Sequence, residues 1–378
     1  MKKVHFFKHS VGKEELKAVE RIVKSNFLTT GEATAEFESR FANYLGVRHA
    51  TGLTSCTGAL HLALLAAGVK SGDEVITTPM SYVATAHSIV MAGARPVFVD
   101  IEADTGNIDA RKIEAAITKK TKAILPVHLY GQMADMKEIL KVAKKHGLVV
   151  IEDAAHALES ERDGIRPGQK SFGACFSFYA TKSITSGEGG AFATNNAKTA
   201  DLVKSLRNHG VTIEADKRQK LGVKTYDVDR LGWKYNMDNL KAAMLIPQIK
   251  KTDSYRSRRE VIASEYRRSF SRIGITMLRV LKNGRHSNHL FPILVPPEQR
   301  DAFIDHLSSL GVGSPINYRP IHLFSFYKKN FGFREGDFPI AEDFGARVLS
   351  LPLYSRLKDS EVGYIIQSVH ATAKEVLK

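Results

Sequence analysis

Cysteine is nearly absent: the chain of 378 residues has two, Cys56 and Cys175. Two are too few for a disulfide scaffold or for a four-cysteine zinc or iron–sulfur site, and they fit a reducing cytoplasm. There is no HExxH and no paired Cys-x-x-Cys, so metal catalysis has no ligand set to start from. No apolar run approaches the ~20 residues needed to span a bilayer. The N-terminus, MKKVHFFKHSVGKEEL, meets charge too early for the core of a secretory signal. Low-complexity segments and internal repeats are also missing. These absences predict a cytoplasmic protein with no membrane partner and no metal.

Positive charge, by contrast, is in excess: 55 Lys and Arg against 40 Asp and Glu give a net charge of +15. Nucleic acid, an anionic surface or a small anionic substrate could each account for it. The basic residues are dispersed and alternate with acids, as in KKVHFFKHSVGKEELKAVERIVK. Basic arms, finger spacings and helix-turn-helix patterns are lacking. A solvated surface, or a field that draws in a phosphorylated metabolite, fits better than a nucleic-acid partner.

The length exceeds one ordinary core and predicts two domains. Hydrophobic content of 43% and charged content of 25% are those of a globular protein. Residues 12–25 and 34–45 read as amphipathic helices, the second with Phe37, Phe41 and Tyr44 at helical spacing. Strands and helices then alternate. Strands are expected at 73–79, 96–100, 122–128 and 148–154, and helices at 61–68, 83–94 and 134–147. The almost continuous apolar run of LVVIEDA suits a parallel sheet buried on both faces, and the alternation as a whole predicts an α/β layer structure with a mostly parallel, doubly wound sheet. The texture changes after about residue 237. Residues 238–272 read as one long charged helix, 289–295 as a strand, and 300–311 and the tail as helices. The expected division is a large α/β domain over 1–250 and a smaller C-terminal α/β domain over 251–378.

Ligands of such sheets bind at the carboxyl ends of the strands, which singles out four places. Asp153 ends LVVIED, where a carboxylate is costly unless paired; it is a cap or ion-pair partner, or it holds a proton on a heterocyclic nitrogen. Ser55, Thr57 and Gly58 lie at a strand-to-helix junction in TSCTGALHLAL, either a plain cap or an anion site. Tyr82, in SYVATAH, is a core aromatic or lies flat on a ring. Lys182, in FSFYATKSITSGEGGAF, is a loop lysine or a desolvated amine able to attack a carbonyl. Ser177, Ser183, Thr185 and Ser186 flank it and either bind phosphate or make turns. Taken together, an amine, an upstream acid, a phosphate cup and an aromatic are the parts that a pyridoxal phosphate (PLP) site requires.

The same stretches, with FLTTGEATAEFE, ILPVHLYGQMADM, VIEDAAHA, LRNHG, GWKYNMDNLKAAM and INYRPIH, run through nearly the whole chain. In order and wording they resemble the DegT/DnrJ/EryC1/StrS aminotransferases, PLP-dependent nucleotide-sugar enzymes of fold type I. The resemblance implies that Lys182 is the Schiff-base lysine and moves the proton, that Asp153 pairs with the pyridine nitrogen, and that His156 lies close to the ring. It implies that Cys56, Thr57 and Gly58 with Ser177 hold the phosphate and that Tyr82 stacks on the ring. The family reaches the partner subunit's phosphate from a GxNxRM-like segment. This chain reads GWKYNM there, so Lys234 or Asn236 takes that part in an obligate homodimer with active sites at the interface. Thr29, Asn317, Tyr318, Arg319 and Pro320 match segments that contact the sugar nucleotide.

The implied reaction is a two-stage transfer. L-Glutamate leaves as 2-oxoglutarate, pyridoxamine phosphate carries the nitrogen, and a keto sugar on a nucleoside diphosphate receives it. The wording HAL after the acid, SNHLFPI and YRPIH is most similar to enzymes that aminate C4 of UDP-linked 4-keto sugars for bacterial surface amino sugars. A PLP-dependent sugar dehydratase of this fold is the enzymatic alternative, but such enzymes replace the lysine by histidine or add an iron–sulfur cluster. A non-catalytic regulator that kept the fold is the other alternative. The intact Asp153, Lys182 and phosphate segment speak against it.

Overall fold

Seven short strands, most of them largely buried, form the central sheet of the structure, a computed structural model that describes residues 3–213, 222 and 224–377. They are β1 (His49–Leu53), β2 (Glu74–Thr77), β3 (Arg95–Phe98), β4 (Thr121–Ile124), β5 (Val149–Asp153), β7 (Gly173–Ser177) and β8 (Gly190–Thr194), in the order β1-β8-β7-β5-β4-β2-β3. Only β8 runs against its neighbours, pairing antiparallel with β1 and β7. The pairs from β3 to β7 are all parallel. The sheet is therefore mostly parallel, as the apolar runs predicted.

The helices before, between and after these strands are α1 (Lys13–Val23), α2 (Glu32–Leu45), α3 (Cys56–Ala66), α4 (Ala84–Met91), α5 (Ala110–Ile113), α6 (Met136–His146) and α7 (Ala197–Leu206). Both faces of the sheet are covered, and β7 shows how. Ala174 and Phe176 enter one core with Phe37 and Phe41 of α2, while Cys175 between them enters another with Leu60 and Leu64 of α3. This is the two-residue period of a strand buried on both sides. Phe37 and Phe41 each meet Phe178 edge to face at 5.3–5.4 Å. Tyr44, expected on the same face, is half-buried and donates to Asp253 at 3.0 Å.

The stretch expected as one long helix is two: α8 (Asn239–Ile249) and α9 (Thr252–Phe270). Pro247 in the last turn of α8 lacks a backbone N–H. The buried amide of Gln248 next to it is turned sideways. It accepts from Thr185 N at 3.0 Å and donates to Thr185 O at 2.8 Å. The break thus clamps the backbone three residues beyond Lys182.

A second core surrounds a three-stranded antiparallel sheet of β9 (Thr276–Met277), β11 (Phe291–Leu294) and β12 (Val348–Leu351). It is packed by α9, α10 (Arg300–Ser309) and α13 (Asp359–Val376), and Val4 joins it through a bridge to Val312. Helices α11 (Ser325–Phe331) and α12 (Pro339–Arg347) complete this half, and β6 (Glu161–Arg162) pairs with β10 (Gly284–Arg285) between the two parts. Among the described residues no helix is long and apolar enough to cross a membrane, and no cluster of side chains is suited to hold a metal ion.

Candidate active site

The carboxyl ends of β1, β5 and β7 converge on one edge of the sheet. Leu53 and Ser177 both lie opposite Gly190, the first residue of the reversed strand β8, and Asp153 lies opposite Cys175. A cleft of about 510 Å³ opens above them. Cys56, Thr57, Tyr82, Asp153, His156, Ser177, Lys182, Asn317 and Tyr318 all line it.

Lys182 sits in the turn that follows β7. The turn is pinned by Phe178 N to Gly189 O (2.8 Å), Ser186 N to Phe178 O (3.1 Å) and the Gln248 clamp. Its Nζ is 3.4 Å from Nε2 of His289, and among the described residues it makes no ion pair. Burial pushes the amine down to about 8, an effect that the charges of Cys56 and Asp153 only partly oppose. In the cofactor-free protein Lys182 is therefore half neutral near pH 8 rather than near 10.5. Its labelling by a small amine-reactive reagent, read by peptide mass spectrometry across pH, is expected to rise through about pH 8, ahead of the surface lysines.

Asp153 is buried at the end of β5. Its Oδ2 accepts from the Thr85 hydroxyl at 2.8 Å, and its Oδ1 from Ala155 N at 3.1 Å. Burial raises its pKa, against the pull of those two donors and of the Lys182 and His128 charges. Beneath it, His128 and Glu152 form a fully buried pair at 2.7 Å.

His156 accepts from Tyr130 N at its Nδ1 (3.3 Å), and its Nε2 is 3.3 Å from the Tyr318 hydroxyl. Its ring lies 4.4 Å from that of His289. Burial, helped by the Lys182 charge, holds both imidazoles well below their usual range, so they are neutral. Tyr82 is 61% exposed at the mouth, its ring 6.2 Å from that of Tyr318, so one face is free to meet a ligand.

The segment expected to cup a phosphate lies at the start of α3. Ser55 caps the helix by accepting from Gly58 N at 3.0 Å, and the first N–H groups of a helix have no acceptor within it. Gly190 passes directly behind. A Cβ there would lie 2.3 Å from Ser55 C and 2.4 Å from Cys56 N. Only glycine allows β8 and the cup to approach so closely. Gly190→Ala is expected to push the helix start away, with a cost of about 3 kcal/mol or more for a backbone clash. Reduced cofactor occupancy and a lower Tm would register it.

The remaining expected residues lie outside this cleft. Gly58 backs the cup against the Tyr235 ring. Lys234 is exposed, whereas the Asn236 amide donates to Thr30 Oγ1 at 2.7 Å. Thr29 is exposed. Arg319 is exposed over Phe324, and buried Pro320 packs where a Cβ on Gly345 would strike it. Sequence reasoning passed over Thr85, although it stands in the same SYVATAH as Tyr82. It also passed over His289, whose SNHLFPI was read only as a strand and a subtype marker.

These residues fit PLP: an amine of lowered pKa, a buried carboxylate, a helix start kept open by a glycine, and an aromatic at the mouth, around one cleft. Comparison with known proteins points the same way. The model of the DegT/DnrJ/EryC1/StrS aminotransferase family matches residues 9–370. The spore coat polysaccharide biosynthesis protein SpsC of Bacillus subtilis is 40% identical over 383 residues, covering 99% of this chain and 98% of that protein. Among solved structures, the PMP form of the putative sugar aminotransferase Spr1654 of Streptococcus pneumoniae superposes with a TM-score of 0.94 at 32% identity, over 99% of this chain and 100% of that one. PseC of Helicobacter pylori, an aminotransferase involved in the biosynthesis of pseudoaminic acid, gives 0.92 at 32% identity, again over 99% and 100%.

Proposed function

From the premise that the chain belongs to the DegT/DnrJ/EryC1/StrS aminotransferase family, we propose that it transfers the amino group of L-glutamate to C4 of a keto sugar carried on a nucleoside diphosphate, UDP foremost. The premise makes the protein a PLP-dependent sugar aminotransferase of fold type I. The donor, the ring carbon and the nucleotide are our reading, as is a role in making a bacterial surface amino sugar in the cytoplasm. SpsC, by its name, and PseC support it, since each serves the making of a polysaccharide or an acidic sugar. The observation that supports the reading is that Lys182, Asp153 and the first residues of α3 line one cleft.

PLP, when bound, supplies an electron sink for the substrate carbon that loses its proton. The chain's own groups do the rest. Asp153, ionised and held by Thr85 and Ala155, keeps a proton on the ring nitrogen. Lys182, its pKa lowered to about 8 by burial, takes the proton from the substrate carbon and returns it. The α3 N–H groups and Ser177 would hold the phosphate, and Tyr82 would lie against the ring. His156, neutral, packs beside the ring without adding charge.

In a homodimer we give Lys234, whose amine is exposed, the reach to the partner's phosphate, in preference to Asn236, whose amide is engaged by Thr30. Thr29 and the Asn317–Pro320 segment are assigned to the sugar nucleotide. We keep 1–250 as the cofactor-binding domain and 251–378 as the smaller one. The test is 2-oxoglutarate release from glutamate across UDP-, dTDP- and GDP-linked keto sugars. The reading expects turnover with a UDP-linked 4-keto sugar. Turnover only with a 3-keto sugar or another nucleotide would overturn the finer assignment.

A further inference from the structure

One buried ion pair lies outside the cleft yet is joined to two of its walls. Arg259, on α9, donates from Nη2 to Glu159 Oε1 at 2.6 Å, and the two side chains are 4% and 0% exposed. Glu159 uses its other oxygen to accept from Ser183 Oγ at 3.3 Å, and Ser183 is the residue after Lys182. Arg259 also donates from Nε to Ser287 O at 3.0 Å. The Ser287 hydroxyl in turn donates to His156 O at 2.6 Å, and Ser287 N donates to Gly131 O at 3.0 Å. Two residues further along stands His289, the neighbour of the Lys182 amine. From one guanidinium, direct or relayed hydrogen bonds of 2.6–3.3 Å therefore run to the turn that carries Lys182, to the segment that carries His156 and to the strand entry that carries His289.

Stability does not account for such a pair. Desolvating two ions costs about what their attraction returns, and an apolar pair of similar volume often serves as well. What a buried pair supplies is direction: guanidinium and carboxylate bond only at set angles. Neither Arg259, Glu159, Ser183 nor Ser287 lines the cleft, so none is placed to touch a ligand there.

We propose that Arg259 and Glu159 are positioning residues for the reaction, a strut from α9 that sets the Lys182 turn and the His156 segment in register with each other. The proposal rests on the assignment of Lys182 to the cofactor. It predicts that the strut affects the rate of proton movement and leaves ligand affinity alone.

The test replaces the pair by apolar residues of similar size, Glu159→Leu with Arg259→Met, in the PLP-loaded enzyme. The half-reaction with L-glutamate is read per cofactor-loaded site. The expected result is a Tm and a cofactor content near those of the parent, an unchanged KM, and a kcat lowered on the order of 100-fold, the scale of an ångström-sized misplacement. Parental kcat per loaded site would overturn the proposal, since a merely structural pair affects only the folded fraction. If the double variant does not fold, Ser183→Ala decides, because it cuts only the link to the lysine turn. A fall of roughly tenfold with KM unchanged is expected, and parental kcat there overturns the proposal equally. Lys182→Ala runs beside them: if that variant keeps the visible absorbance of lysine-bound cofactor, the assignment of Lys182 fails, and the strut's failure is told apart from it.

Discussion

Lys182→Ala gives a folded protein that takes up PLP weakly, shows no absorbance band of lysine-linked cofactor and turns over at least about 10⁴-fold more slowly. The size of the effect follows from the two duties that the proposed function gives one amine: binding the cofactor covalently and moving the proton. Nothing else in the cleft substitutes. His289 lies 3.4 Å from the Lys182 amine, but burial holds that imidazole well below its usual range, too weak a base to take over. Lys182→Arg is expected to be equally inactive. A guanidinium keeps the charge but stays protonated at every accessible pH and cannot attack a carbonyl. Both variants should fold, because Lys182 anchors no ion pair among the described residues and its turn is held by backbone bonds and Gln248.

Asp153→Asn separates activity from stability. The amide matches the carboxylate in shape. Its oxygen can keep the bond from Ala155, and its NH₂ can face Thr85, whose hydroxyl then turns to Ser81 at 2.8 Å. What is lost is the charge that keeps a proton on the ring nitrogen, and kcat is expected to fall by about 10²–10⁴-fold. Stability moves the other way. Burial raises the pKa of Asp153 in the folded protein, above an unfolded value of about 3.9. Between those two values the folded state binds the extra proton, so the stability linked to this group is greatest at low pH and falls as pH rises through the raised pKa. At neutral pH the buried charge is a liability in the cofactor-free protein. The asparagine variant should therefore melt higher than the parent without cofactor at neutral pH, and the gap should close on acidification. Calorimetry across pH checks the sign.

Much of this arrangement was legible in the sequence because it rests on local rules. LVVIED announces a strand buried on both faces, and a carboxylate at the end of such a run demands a reason. TSCTGALHLAL announces a helix start with small residues, and the spacing of Phe37 and Phe41 announces the face of α2 that meets the sheet. What was not legible depends on contacts far apart in the chain. His289 reaches Lys182 across 107 positions. The break between α8 and α9 reflects Pro247 and a buried Gln248 that bonds to Thr185, 63 positions earlier. The charged surface of residues 238–272 carries the helical pattern straight through that break. The Arg259–Glu159 pair joins residues 100 apart, and each alone reads as one more charge among many.

The central claim is that nitrogen passes from a donor amino acid through a Lys182-bearing cleft to C4 of a nucleotide-linked sugar. Its most direct test is isotope transfer. The PLP-loaded protein is given L-glutamate labelled with nitrogen-15 in the amino group together with a UDP-linked 4-keto sugar, and the product is mapped by mass spectrometry and nitrogen-coupled NMR. The account predicts nitrogen-15 bonded to C4 of the sugar and one equivalent of 2-oxoglutarate for each amine formed. A deoxygenated sugar without the label, formed with no glutamate consumed, would contradict it.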